Sequence, residues 1–210
     1  SDIGYGSGDA SEAELQAQDL LMLLRHLRLE PAVLIGNSSG GRLSLLLARR
    51  CPSVVHALVL MNLTGGPVAA EVLSFEYYGR YMQAAQSEEG MSAVARAGHY
   101  SDLCRYNPQN ASRLKALSAE RFVKAMRASA KWLATSGDCP VLGHSASELA
   151  EVTHPALVCF GMHRVGCKMH TLQASQNLQA ALPGAEGSVA EWTTRDTIAA
   201  GVVEFLEKLK

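Results

Sequence analysis

Five consecutive residues have the types and spacing of a turn that carries a nucleophilic serine. They read Gly36-Asn37-Ser38-Ser39-Gly40, with a glycine two residues before and two residues after the central serine. A serine hydroxyl attacks a carbonyl carbon only when a base takes its proton, and a third group normally orients that base. The chemistry indicated is acyl transfer at Ser38, provided that a base lies within reach.

The elements around this turn alternate between helix and strand. Ser11 and Glu14 have the spacing of a capping box, and the leucines that follow recur at helical spacing. Short apolar runs bounded by turn residues indicate buried parallel strands. Before the middle of the chain, helix and strand are predicted in turn at residues 12–28, 32–35, 39–50 and 57–61. After it, strand and helix are predicted at 156–160, 170–181, 186–191 and 195–210.

The middle of the chain lacks convincing strand patterns and is predicted to be a helical insertion. Its helices are expected at residues 68–87, 88–98, 110–118 and 119–134. Tyr77, Tyr78 and Tyr81 fall on one side of the first of these helices. This stripe indicates either helix packing or the lining of a substrate pocket. The predicted domains are therefore an α/β core, residues 1–66 and 151–210, and a helical cap, residues 67–150.

Several motifs together resemble one known superfamily. The serine turn, the strand "VHALVLMN", the strand "PALVCFG" and the opening loop Asp2 to Asp9 resemble an α/β-hydrolase. The stretches "NLTGGP", "GMSAVARAGHY", "NPQNASRL" and "CPVLGHSASEL" are similar to a capped, bacterial-type subgroup. The resemblance implies an α/β fold with a mostly parallel sheet and a helical cap. It also implies that Ser38 is the nucleophile and that the N–H of Ser39 stabilises the oxyanion.

The partners that the resemblance implies for Ser38 are not at their usual positions. The acid commonly follows the strand at 156–160, but the segment there reads Gly161-Met162-His163-Arg164. The histidine normally precedes the last helix, and "GAEGSVAEWTTRDTIAA" contains none. His163 and His170 follow the strand at 156–160, at the carboxyl end where parallel sheets bind ligands. They are the candidate bases of a degenerate triad.

Three functions follow from this pattern. The first is an α/β-hydrolase that has lost hydrolase activity and has a binding or structural role, as a subunit of a larger assembly. The alternative is an active, esterase-like serine hydrolase that uses Ser38 with an unorthodox base. A third is a receptor that binds a small ester or apolar ligand without turnover.

The strand at Ala32–Ile35 is predicted to lack a neighbour on one side. The chain begins with Ser1 rather than Met, and its first motif resembles the loop after the fourth strand of the superfamily. An unpaired strand edge with apolar side chains promotes association. We therefore expect either N-terminal sequence beyond that given or a protein partner to cover this edge.

The composition excludes several classes of function. A formal net charge of −1 argues against nucleic acid or anionic lipid as the main partner. No apolar run approaches the roughly 20 residues of a membrane span. No phosphate-binding loop or H-E-x-x-H motif is present, so neither cofactor nor metal is predicted. The five cysteines include no C-x-x-C pair, which favours reduced thiols in a reducing intracellular compartment.

Overall fold

Four parallel strands form a single sheet in the computed structural model, which describes residues 10–161, 167–185, 189–192 and 194–210. The strand order is β1-β2-β3-β4, and each neighbouring pair is parallel. The strands are β1 (Ala32–Asn37), β2 (Val55–Met61), β3 (Ala156–Gly161) and β4 (Ala190–Trp192). This arrangement confirms the predicted parallel α/β sheet. β1 lies at an edge of the described sheet, and the side chain of Ile35 is 55% exposed there.

The helices next to the strands lie close to their predicted positions. The capping box of α1 is present, with Glu14 N–H donating to Ser11 Oγ and Ser11 N–H donating to Glu14 Oε2. These helices are α1 (Glu12–Leu27), α2 (Ser39–Arg50), α10 (Leu172–Ala181) and α11 (Arg195–Lys208).

Between β2 and β3, the helix predicted at 119–134 is observed with the same bounds, whereas the other helices differ from the predicted ranges. The helices of this segment are α3 (Pro67–Glu71), α4 (Tyr78–Gln86), α5 (Met91–Ala95), α6 (Gly98–Tyr106), α7 (Gln109–Lys115), α8 (Ala119–Ala134) and α9 (Ala146–Ala150), and a π-helical segment, Val72–Tyr77, joins α3 to α4. The helix predicted at 88–98 is too long, because α5 spans only Met91–Ala95. Gly90 and Gly98 adopt φ of 54° and 43°, which interrupt right-handed helix on both sides of α5.

The two faces of the sheet pack against different helices. Leu58 and Leu60 of β2 belong to a buried cluster shared with α1, α2 and α10. Val59, between them in sequence, faces the opposite side and packs with Trp192 and with Phe205 of α11. This alternation follows from the two-residue period of a strand. A parallel strand buried on both faces is expected to contain a continuous apolar run, and Ala57 to Leu60 of β2 form one.

The helices between β2 and β3 form a buried cluster of their own. Tyr78, Tyr81 and Phe122 are among its members, and Met169 from the segment after β3 packs against it. Tyr77 and Tyr81 meet edge to face, with ring centroids 4.8 Å apart. The helical-packing interpretation of the tyrosine stripe is therefore confirmed. The division into a core, 1–66 and 151–210, and a cap, 67–150, stays a prediction.

The structure also tests the expectations about membrane spans and cysteines. Among the described residues, no helix combines the length and the apolar character that crossing a membrane requires. In the described part of the chain, no disulfide joins any of the five cysteines, which are Cys51, Cys104, Cys139, Cys159 and Cys167.

Candidate active site

Ser38 occupies a strained turn between β1 and α2. Its φ of 52° and ψ of −114° lie outside the conformations that L-residues ordinarily adopt, and its N–H donates to the Met61 carbonyl at 2.9 Å. A Cβ atom on Gly36 would lie 2.6 Å from the carbonyl carbon of Gly40, so only glycine fits there. The sharp turn projects the serine beyond the carboxyl end of the sheet, as the motif predicts.

His170 lies beside the Ser38 hydroxyl. Its Nε2 is 2.8 Å from Ser38 Oγ, and the residue is only 7% exposed. The next residue, Thr171, caps α10 by accepting a hydrogen bond from Ala174 N–H, which fixes the backbone that carries the imidazole. A histidine at hydrogen-bond distance from a serine hydroxyl is the geometry of a nucleophile and its general base.

A thiol contacts the other ring nitrogen of His170. Cys167 Sγ is 3.3 Å from Nδ1, and Cys167 is half-buried. Sulfur is a weak hydrogen-bond acceptor, yet it occupies the place that a carboxylate takes in a serine–histidine–acid triad. Ser38, His170 and Cys167 thus form a continuous chain of contacts.

The other predicted site residues are placed as follows. Ser39 is the first residue of α2, where backbone N–H groups have no partner within the helix and favour negative charge. Its N–H directly follows the candidate nucleophile, which is the position of an oxyanion donor in this motif. His163, the second candidate base, lies outside the described residues.

Asn62 directly follows β2 and forms side-chain hydrogen bonds to the ends of β1 and β3, next to Ser38. Its Nδ2 donates to Asn37 Oδ1 at 2.9 Å, and its Oδ1 accepts from Gly161 N–H at 2.7 Å. The residue is buried and has a φ of 49°. Asparagine tolerates this left-handed conformation better than most residues. It fixes the positions of the β1 and β3 ends that flank the serine and the histidine segment.

A cavity of about 430 Å³ opens onto the serine and the histidine. Tyr77 and Tyr78 line it, so the tyrosine stripe both packs the helices and borders the site. The remaining side of the cavity includes Leu73, Leu103 and Met169. The volume lies in the range of small-molecule sites.

Two oppositely charged residues face the same cavity. Arg42 is 6% exposed, and its Nη1 donates to Thr64 Oγ1 at 3.1 Å. Glu12 accepts from the Tyr78 hydroxyl at 3.1 Å. Burial raises the pKa of the Glu12 carboxyl above its usual value, against the opposing effects of Tyr78 and Arg42. Burial likewise lowers the pKa of Arg42.

A family comparison agrees with this geometry. The sequence profile of the α/β-hydrolase fold matches residues 3–136, which is more than half of the chain. The chain belongs to the α/β-hydrolase fold family. The resemblance predicted from the serine turn and the strand motifs is confirmed at this level.

Curated relatives of this α/β-hydrolase match it over short stretches. The sn-1-specific diacylglycerol lipase ABHD11 of Mus musculus is 47% identical over 58 residues, 28% of this chain and 19% of that protein. A Haemophilus influenzae protein named as an esterase/lipase is 33% identical over 54 residues, 26% of this chain and 19% of that protein. The matched stretch therefore spans about a fifth of the length of each relative.

Solved structures match the α/β-hydrolase over almost its whole length. The enol-lactonase from Burkholderia xenovorans LB400 has a TM-score of 0.57 at 21% identity, covering 97% of this chain and 75% of that one. At this identity the likeness shows the fold alone.

Some site residues of this α/β-hydrolase were not found by sequence reasoning. Cys167 is one of five cysteines without a C-x-x-C pair, and Asn62 belongs to no catalytic motif. Arg42 and Glu12 fell within predicted helices and carried no motif. These residues share one feature that a sequence shows. Each is close to a predicted strand end or helix start near the serine turn.

Proposed function

We propose that the chain is an esterase-like serine hydrolase that cleaves a small ester or related acyl substrate. Ser38 is the nucleophile and His170 the general base. The observation that supports this most strongly is the 2.8 Å separation of Ser38 Oγ and His170 Nε2. The names of two relatives, an esterase/lipase and a diacylglycerol lipase, point to the same reaction class.

The reaction begins with one tautomer of His170. With the proton on Nδ1, the Nε2 lone pair accepts the Ser38 hydroxyl proton while Oγ attacks the carbonyl carbon. The Nδ1–H group donates to Cys167 Sγ, which orients the imidazole. The negative charge that develops on the carbonyl oxygen is stabilised by the N–H of Ser39 at the start of α2.

The second half of the reaction returns the proton. As the tetrahedral intermediate collapses, His170 Nε2–H protonates the leaving alkoxide, and the acyl group stays on Ser38 Oγ as an ester. A water molecule, deprotonated by His170, then attacks that ester, and His170 Nε2–H returns the proton to Ser38 Oγ as the acid is released. Serine and histidine are restored, so the only net reactant besides the ester is water.

Ester turnover by matched serine variants tests this proposal. We expect Ser38→Ala and His170→Gln each to lower the turnover of p-nitrophenyl butyrate by about 10³-fold, because the residues of such a dyad act as a unit. Ser39→Ala is the control, since it removes a neighbouring hydroxyl and keeps the backbone N–H. A folded Ser38→Ala protein with wild-type turnover would overturn the proposal.

A binding or structural role is the second candidate function. The edge position of β1 and the 55% exposure of Ile35 favour it, because a second chain or segment would cover that edge. It predicts a stable assembly with no Ser38-dependent turnover. Analytical ultracentrifugation of the wild-type protein and an Ile35→Lys variant, beside the turnover assay, separates the two functions.

A further inference from the structure

Arg42 brings a buried positive charge into the cavity of the proposed nucleophile. It lies in the first turn of α2, where its backbone N–H donates to the Ser38 carbonyl at 3.3 Å. In the part of the chain that the structure describes, its guanidinium makes one side-chain hydrogen bond, to Thr64 Oγ1. A guanidinium carries five N–H donors, so most of its capacity is available to the cavity that it lines.

A buried cation of this kind requires a compensating anion. Burial lowers the pKa of Arg42, but arginine stays protonated in proteins. Glu12 lines the same cavity, and its carboxyl accepts a hydrogen bond from Tyr78 instead of one from Arg42. Its negative charge therefore stabilises Arg42 only at longer range, which leaves part of the desolvation cost of the guanidinium unmet.

We propose that Arg42 binds the carboxylate of an acidic acyl group and makes the Ser38 site selective for esters that carry one. The guanidinium fork matches the geometry of a carboxylate. Ser38 and Arg42 line the same cavity, so a short acyl chain held at Ser38 can extend its carboxylate to the guanidinium. The substrate class is a monoester of a small dicarboxylic acid. This deepens the proposed hydrolase function and rests on it for turnover, although binding does not depend on turnover.

Calorimetric binding to the Ser38→Ala protein tests the subsite without turnover. The probes are monomethyl glutarate, which carries a carboxylate, and dimethyl glutarate, which is its neutral counterpart. We expect the anionic ester to bind about tenfold more tightly, as a charge-assisted hydrogen bond predicts. Adding Arg42→Met should abolish that preference. Arg50→Met, on the exposed side of the same helix, should keep it.

A second variant tests the subsite even if the Arg42→Met protein does not fold. Glu12→Gln preserves an acceptor for the Tyr78 hydroxyl and removes the competing charge. It should bind monomethyl glutarate several-fold more tightly and so increase the preference for this ester over dimethyl glutarate. Equal binding of the two esters, no binding of either, or an unchanged preference in a folded Arg42→Met protein would each overturn the subsite.

The two proposals fail in different ways. Arg42-dependent binding of monomethyl glutarate without its hydrolysis by the wild-type protein would refute the hydrolase function and leave the anion subsite standing. Ser38-dependent hydrolysis of both esters at equal rates, with equal affinities, would refute the subsite and leave the hydrolase function standing.

Discussion

The Sγ atom of Cys167 lies 3.3 Å from Nδ1 of His170, on the opposite side of the imidazole ring from Ser38. In a serine–histidine–acid triad, the carboxylate at this place fixes the tautomer and stabilises the imidazolium that forms. A neutral thiol accepts the hydrogen bond weakly and supplies no charge. The arrangement therefore predicts a hydrolase whose turnover is limited by its third residue.

Replacement of that thiol by a carboxylate should accelerate catalysis. We expect Cys167→Asp to raise kcat for p-nitrophenyl butyrate by about tenfold or more, because a carboxylate stabilises the imidazolium in the transition state. Cys167→Ala should lower kcat with little change in KM, and the pH–rate profiles of the three proteins should differ. Cys104→Ala, at a half-buried thiol of α6, is the control. Equal kcat values for the Asp and Ala variants would show that Cys167 does not orient His170.

His144 should make the fold sensitive to acid. Burial lowers its pKa from 6.5 to about 4, and its Nε2 lies 3.0 Å from the Arg42 carbonyl oxygen. Because the unfolded chain binds this proton more readily, stability is complete above pH 6.5 and falls as the pH drops towards 4. The expected loss is about 3 kcal/mol. Urea unfolding at several pH values measures it.

A glutamine at this position provides the matched control. His144→Gln keeps an N–H donor for the Arg42 carbonyl but does not titrate. Its free energy of unfolding should fall less steeply than that of the wild-type protein between pH 6.5 and 4. If the free energy of unfolding fell equally steeply with pH in both proteins, a group other than His144 would cause the loss of stability in acid.

Two glycines of the serine turn should respond differently to alanine. A Cβ on Gly36 would meet backbone atoms of Gly40 at 2.6 Å, whereas a Cβ on Gly40 would meet nothing within 4 Å. Gly36→Ala should therefore destabilise the protein by about 1–3 kcal/mol and lower ester turnover. Gly40→Ala lies in α2 and should leave stability unchanged or raise it by up to about 1 kcal/mol. Thermal unfolding and turnover assays measure both, and equal effects would contradict the close packing of this turn.

Asn62 should prove necessary for the geometry of the site. Asn62→Ala removes the partners of the Gly161 N–H and of Asn37 Oδ1, and places alanine at a φ of 49°. The expected cost is about 1–3 kcal/mol for the buried N–H alone, with a lower kcat. Asn37→Ala loses only one of these hydrogen bonds and should cost less. Chemical denaturation compares the two, and a larger loss for Asn37→Ala would refute this account.

The serine turn could be predicted from sequence because its requirements are local. Gly36, Ser38 and Gly40 are fixed by the sharp bend itself, and the strand and helix that it joins have clear apolar patterns. The strands β1 to β3 could be predicted for the same reason. The helix predicted at 88–98 was too long because glycine conformations, rather than apolar spacing, decide where α5 and α6 begin.

The sequence reduced the candidate bases for Ser38 to two histidines but did not decide between them. Sequence pattern placed His163 and His170 after the same strand but could not tell which of them reaches the serine, since that depends on the path of the segment between β3 and α10. Arg42 and Glu12 come together across a cavity from two different helices. The apolar periodicity of either helix does not predict that these two side chains face the same cavity.

The most direct test of the central claim is the mass of the protein after reaction with a fluorophosphonate, which phosphonylates an activated serine. We expect a single adduct on the peptide that contains Ser38, retained in Ser39→Ala and lost in both Ser38→Ala and His170→Gln. A folded wild-type protein that gains no adduct, or gains it at another residue, would contradict the claim that His170 activates Ser38.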